Sequence, residues 1–539
     1  DTFTNIDKFI GSAHDDIIQI ASTDLATLPV GFFNGGAEDG QDEVVISGEL
    51  DFNAADLLGK VTNIESINMS EVNPQVGVPF EINGDEAFTL LGSIASKTLK
   101  ITAENGTEFS VTDGAGYTQT GAAGDTTDGD GIRTLTYTFD NGGDTITLEI
   151  EVLPIVGTSG DDNPLNGNDG HNVIIGLAGN DVIYGMKGDD VILADEGADT
   201  VYGGEGNDTL RVMSDYTADA VANEDDTYDG GLGEDTIDAS DVTDGVNIDL
   251  EAQTLTDQSG GTNIGTDTIV SIEHAVGSDQ GDIIRGSNAD DNTIIGGLGD
   301  DTLEGRDGAD YIEGGAGNDT IVVDSDGADV DVLRGDAGED TLDLSVNMGV
   351  ANIDVDLTTG AQTISTGDDI DGFEHVKGSN GTNIITGNAG DNTLDGQGGD
   401  DTFFAGAGSD DILGGGGSDT LDYVGGAAID ANLNTGSITQ GADTDTITGV
   451  ERVLATANND TFRVTNTDIA GMTAANRYDG RAGSDTLVIT GNLDFDADTL
   501  NTNFDNLEVI DLTGVTTGGD FFEISGDQVA GLASGNGST

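Results

Sequence analysis

Between Gly167 and Arg211 an aliphatic residue returns at every ninth position: Ile174, Ile183, Ile192, Val201 and Leu210. The polar residues keep the same beat. The lines GNDGHNVII, GLAGNDVIY, GMKGDDVIL, ADEGADTVY and GGEGNDTLR each carry Gly fourth, Asp or Asn sixth and an aliphatic residue eighth. The last three residues of a line read as a short strand with one side chain turned inward. The glycines before them allow a tight turn. A nonapeptide cannot bury one aliphatic side chain alone, so the lines must stack as a parallel coil of strands. The same pattern opens at Gly157 (GTSGDDNPL) and returns over 277–322 and 378–422. No segment sustains an apolar period of 3.6, so helices should be few and short.

The chain outside these blocks is also written in strands. Between Lys97 and Leu153, TLKITAENGTEFSVTDG and RTLTYTFDNGGDTITLEIEVLP alternate polar and apolar residues around Asn-Gly and Asn-Gly-Gly. Both stretches predict antiparallel hairpins. The link Thr118–Gly131, with DTTDGDG, reads as a loop rather than a weak calcium site, since its spacing matches no EF-hand. Four segments share an acidic–basic pair before a short strand: Asp7–Lys8, Glu273–His274, Glu374–His375 and Glu451–Arg452. Upstream of the last three stand VNIDL (Val246), NIDVDL (Asn352) and IDANL (Ile429), each after a nonapeptide ending in Asp. A longer repeat encloses these units. VVISGELDF from Val44 resembles LVITGNLDF from Leu487, and VTNIESINM from Val61 resembles FDNLEVIDL from Phe504. The offset stays near 443, so the chain reads as one long period plus part of a second copy, with its true termini elsewhere.

The expected class is all-β: repeated parallel blocks interleaved with further strands and an antiparallel hairpin module. The expected modules are 1–94, a β module with partial calcium-type turns; 95–155, the hairpins; and 156–245, the first block. After them come 246–350, strands plus the second block; 351–428, strands plus the third; and 429–539, linking strands with a partial copy of the first module.

Stacking sets an Asp carboxylate and several Gly carbonyls of one turn beside those of the next. Such an oxygen cage suits Ca²⁺, a hard cation with six to eight oxygen ligands. GGEGNDTLR, GGLGDDTLE and GGAGNDTIV resemble the G-G-x-G-x-D-x-U-x repeats of RTX proteins, which form calcium-loaded parallel β-rolls. The resemblance implies calcium ligation by the sixth-position residues Asp162, Asn172, Asp181, Asp190, Asp199, Asp208, Asp235, Asp282, Asp301, Asp310, Asp319, Asp340, Asn383, Asn392, Asp401, Asp410, Asp419 and Asp485. It implies the same for the carbonyls of Gly179, Gly188, Gly197, Gly206, Gly299, Gly308, Gly317, Gly399, Gly408 and Gly417. Asn near block starts departs from the family's Asp, so those turns should bind calcium weakly or cap the roll. Family members leave the cell by type I secretion, which implies an extracellular or cell-surface place in a Gram-negative-type bacterium.

Charge sharpens this picture. The 539 residues hold 104 acidic and 15 basic side chains, a formal charge of −89, with 85 Gly and no Cys or Trp. Such a chain resists compaction unless cations bind. Nucleic acid is excluded as a partner, because no basic face exists to meet phosphates. The evenly placed Ile, Leu and Val argue against a disordered acidic chain. No apolar run approaches the length of a membrane span.

Catalytic signatures are missing too. None of His14, His171, His274 and His375 lies in HExxH, no G-x-S-x-G occurs, and no thiol exists. In the acidic–basic pairs His alternates with Lys8 and Arg452, which favours a charge role over ligation. The reading is a non-enzymatic, calcium-binding extracellular structural protein, a segment of an adhesin, S-layer or filament. Copies of the same chain, or a cell-surface polysaccharide, are its expected partners. The alternative is the noncatalytic calcium-binding region of a type I-secreted enzyme.

Overall fold

A computed structural model describes residues 145–515, with breaks at 215–224, 259–263, 324–329, 347–351, 360, 363–368, 474, 492–499 and 501. Before residue 145 it describes strand segments between Phe9 and Asp140, and Ala87. The chain divides into two units, residues 1–244 with 253–274, and 245–252 with 275–539. Strands dominate both. A short helix, Asn466–Gly471, is boxed at its N-terminus by Thr465 and Asp468.

In the first unit the nine-residue lines contribute alternately to two parallel sheets. Val173–Ile175, Val191–Leu193 and Thr209–Met213 lie in one, and Val182–Lys187, Thr200–Glu205 and Thr227–Leu232 in the other. Register therefore advances by two lines, Ile174 facing Ile192 and Ile183 facing Val201. The eighth-position residues Ile174, Ile183, Ile192, Val201 and Leu210 are fully buried. Each contributes about 1.5–3 kcal/mol through burial. The ladder continues past the insertion after Met213, since Val201 pairs with Tyr228.

In the second unit Thr302–Glu304, Thr320–Val322, Thr341–Asp343, His375–Lys377, Thr393–Asp395 and Asp411–Leu413 form one parallel series. The second and third blocks thus share a continuous sheet. After each of these blocks comes a short antiparallel excursion. Asn352–Asp356 turns back onto Ala361–Gln362, and Ile429–Asn432, Ser437–Gln440 and Asp443–Thr448 form a meander.

The hairpin reading holds for one of its two stretches. Arg133–Asp140 and Thr145–Val152 pair antiparallel across Asn-Gly-Gly. Thr98–Ala103 and Phe109–Thr112 do not pair with each other across Asn-Gly. The first runs parallel to Ser66–Asn73 and Thr145–Val152, the second parallel to Phe80–Asn83. Parallel register sets Leu99 level with Leu148 and Ile101 level with Ile67, and all four are buried. Part of the expected loop is also a strand: Gly124–Thr127 pairs antiparallel with Arg133–Thr136.

The long repeat is visible in register. Glu43–Glu49 pairs parallel with Ser66–Asn73, with an irregularity between Val45 and Ser47. Thr486–Gly491 pairs parallel with Val509–Val515, with an irregularity between Val488 and Thr490. The two breaks fall 443 positions apart, the sequence offset itself.

Candidate metal sites

From Asp181 onward each sixth-position Asp is placed by a strand that begins one residue later, so its backbone is fixed by the sheet. Except at Asp162 and Asp282, the sixth-position Oδ1 accepts the amide of the equivalent residue one coil earlier in its sheet. Asp190 Oδ1 takes the Asn172 N–H at 2.6 Å, Asp199 takes Asp181 at 2.8 Å, and Asp208 takes Asp190 at 2.7 Å. Asp301, Asp319 and Asp340 continue the same ladder in the second unit, as do Asp401 and Asp419. A second ladder runs outside it in the opposite sense. There Asp161, Asp189, Asp300, Asp391 and Asp400 accept amides from the following coil.

The other carboxylate oxygen is the informative one. Oδ2 of Asp181, Asp208, Asp235, Asp301, Asp319, Asp340, Asp401, Asp410, Asp419 and Asp485 is buried with no hydrogen-bond partner. A buried oxyanion left so is costly. In these turns the residue after the first position sits at positive φ, even where it is not glycine: Leu177 at 71°, Arg306 at 69°, Asp336 at 67° and Gln397 at 64°. That φ keeps the turn from closing on its own carboxylate. A Cβ on the first-position Gly would collide with this Oδ2 and with the carbonyl of the neighbouring coil. At Gly185 these are Asp190 Oδ2 and Gly203 O, and at Gly296 they are Asp301 Oδ2 and Gly314 O. The fourth-position glycines Gly179, Gly188, Gly197, Gly206, Gly299, Gly308, Gly317, Gly399, Gly408 and Gly417 all have positive φ. Their Cα atoms back onto the main chain of the coil before, where a Cβ has no room.

One turn shows which oxygens converge. The Asn383 Nδ2 lies 3.1 Å from Ser379 O, 2.9 Å from Gly381 O, 3.0 Å from Gly396 O and 2.9 Å from Asp401 Oδ1. The Ser379 amide donates to Asn383 Oδ1 at 3.2 Å, which fixes the orientation of the side-chain amide. Carbonyls of a turn's second and fourth residues, with the first carbonyl and the carboxylate of the next coil, thus surround one point. Among the described residues no group of three or more His, Asp or Glu side chains could hold a metal. Carbonyls must supply most ligands, and an all-oxygen donor set of this kind fits Ca²⁺.

A family model described as the RTX calcium-binding nonapeptide repeat (4 copies) matches residues 156–192, 166–201, 177–210, 286–321, 325–345, 369–402, 377–412 and 386–421. The chain carries RTX calcium-binding repeats. No curated protein matches it.

The RTX turns are of two kinds. In the first two turns of each block the sixth residue closes on its own turn. Thr158 N–H donates to Asp162 Oδ2 at 2.6 Å, Asn168 to Asn172 Oδ1 at 2.6 Å, and Ser278 to Asp282 Oδ2 at 2.6 Å. Ser287 does the same for Asn292, Ser379 for Asn383, and Asn388 for Asn392. Of the expected ligands, Asp162, Asp282, Asn383 and Asn392 therefore sit in turns that satisfy themselves, and this closure at the Asn positions suits the capping role. Asn172 closes on its turn through Oδ1 but leaves its Nδ2 buried without a hydrogen-bond partner. The sequence signal was the Ser, Thr or Asn directly after the first Gly, a residue built to fold its side chain onto a local amide.

Burial, and then neighbouring carboxylates, lift the open-turn aspartates out of the ordinary range. Asp208 is pushed up to about 6, Asp235 to about 7 and Asp301 to about 8, and the amide each accepts offsets only part of this. Asp401 and Asp410 rise to about 7, and Asp340 and Asp485 to about 6. A divalent cation reverses that logic by compensating the charge directly. The paired His residues do sit beside acids, His274 near Glu234 at 3.9 Å and His375 near Glu339 at 3.7 Å. Their acidic neighbours Glu273 and Glu374 act elsewhere, on the aspartate ladder.

Proposed function

We propose that this RTX chain is a non-enzymatic structural segment of an extracellular surface protein, an adhesin, S-layer or filament, that folds and assembles on calcium. The observation that carries the reading is the long period. Modules 443 positions apart share pairing order and the same register irregularity, as in an array built by repetition. RTX repeats occur typically in secreted proteins, and type I secretion is the route we assign. Among the described residues no helix is long and apolar enough to cross a membrane.

Further copies of the same chain are the partner we assign, since repeated modules stack edge to edge and head-to-tail contacts generate fibres or layers. Light scattering and electron microscopy of the chain, in millimolar calcium and in chelator, test this. Calcium-dependent growth of ordered assemblies is expected. A strictly monomeric species at high concentration and millimolar calcium overturns the assembly reading.

A further inference from the structure

In each block one row of open turns stops at a glutamate outside the nonapeptide pattern. The other runs onto an aspartate, as where Asp445 Oδ1 accepts the Asp410 amide at 3.0 Å. At Asp419 the carbonyl of Gly449 replaces the first-position glycine carbonyl of a next coil. A Cβ on Gly414 would lie 2.8 Å from Asp419 Oδ2 and collide with Gly449 O. Gly449 has φ 70°, in the left-handed region. Two residues on, Glu451 Oε2 accepts the Asp419 amide at 3.0 Å, the bond that an Asp Oδ1 accepts everywhere else along the row. Asp419 is fully buried and its Oδ2 has no hydrogen-bond partner.

The arrangement recurs. Asp235 faces Ser271 O, with Glu273 Oε2 on its amide at 2.8 Å. Asp340 faces Gly372 O, with Glu374 on its amide at 3.1 Å. Asp485 faces Asn506 O, with Glu508 on its amide at 2.8 Å. Ser271, Gly372 and Asn506 all have positive φ, at 52°, 80° and 55°. In every case the last Asp also accepts the two amides that follow, those of Glu451 and Arg452 at Asp419 for example.

We propose that the three-residue turn ending in Glu273, Glu374, Glu451 or Glu508 is a terminal half-site that completes a calcium-binding cage with the last aspartate of its row. The glutamate supplies the carboxylate and the residue two before it supplies the carbonyl. The longer side chain reaches the cage from a turn with no room for the full Gly-x-Gly-x-Asp loop. Such a row thus begins in a turn closed by its own sixth residue and ends in one that shares an ion without continuing the repeat. The inference rests on the calcium reading of the rows themselves.

The test is calcium content at saturation, by native mass spectrometry of the full chain, in the natural sequence and in the E273Q/E374Q/E451Q/E508Q variant. Glutamine keeps the oxygen that accepts the aspartate amide and loses the charge. The variant should hold four fewer ions, or hold four about tenfold or more weaker, because affinity follows ligand charge. Unchanged content and affinity would make the glutamates hydrogen-bonding caps and overturn the proposal. A structure of the natural chain loaded with Tb³⁺ decides the matter even if the variant does not fold. Density beside Asp301 and Asp319 but not beside Asp419 overturns the terminal sites alone. Density at none of them overturns the calcium reading of the rows.

Discussion

An aspartate in an open turn and an asparagine in a closed one occupy the same place in the fold and solve opposite problems. Asp401 Oδ2 is buried without a donor, so its turn is incomplete until a cation arrives. Asn383 brings its own donor to the surrounding carbonyls, and a neutral amide stands where the row would otherwise hold an ion. Substituting each by Ala should therefore separate two effects. Asp401→Ala should lower calcium content by at least one ion and weaken binding by the neighbouring turns. Asn383→Ala should leave the ion count unchanged and cost about 1–3 kcal/mol of stability at saturating calcium, the cost of stranded buried carbonyls. Equal calcium losses for the two would mean that both residues are ligands.

Within a coil, the apolar ladder and the ion rows stabilise the same strands from two sides. Phe403 is fully buried and stacked in register between Ile385 and Leu421. Phe403→Ala should cost about 3–5 kcal/mol. Because binding and folding are linked, the calcium concentration at the folding midpoint should rise with it. Circular dichroism during a calcium titration reads this directly, and an unmoved midpoint would mean that the ladder forms before any ion binds. The ladder was legible in the sequence because a ninth-position beat leaves one inward residue per strand, as at Ile183 and Leu303. Strand partners were less legible. Alternation shows that Thr98–Ala103 is a strand, but Leu99 and Ile101 find their row through residues nearly fifty positions away. In the sequence Glu273, Glu374 and Glu451 show only as acidic neighbours of His274, His375 and Arg452, and Glu508 has no basic neighbour at all. Their work lies on the amide of an aspartate 23 to 38 residues earlier, a distance that no local pattern reveals.

Across the whole molecule, 104 acidic side chains face 15 basic ones, and several of the basic ones are tied into local pairs. Arg306 grips Asp249 with both nitrogens, Arg463 grips Asp430, and Arg481 meets Asp422. Two kinds of repulsion remain: a diffuse one over the surface, and a local one at the buried aspartates. They respond differently. Salt at about 1 M shortens the screening length to ~3 Å and relieves the surface. It does little for a buried Oδ2.

Protons act on the buried groups. An unfolded Asp titrates near 3.9, whereas Asp235 and Asp401 titrate at about 7 and Asp301 at about 8 when folded. The folded, metal-free roll therefore holds protons that the unfolded chain releases. Its stability is fully present below about pH 4 and is lost as pH rises through about 6–8. In chelator at pH 8 the far-ultraviolet dichroism should show the β-signal largely lost. Millimolar calcium should restore it cooperatively, 1 M NaCl should not, and acidification to pH 5 should restore part of it. Recovery in NaCl equal to that in calcium would mean that surface repulsion, not the buried carboxylates, keeps the chain unfolded.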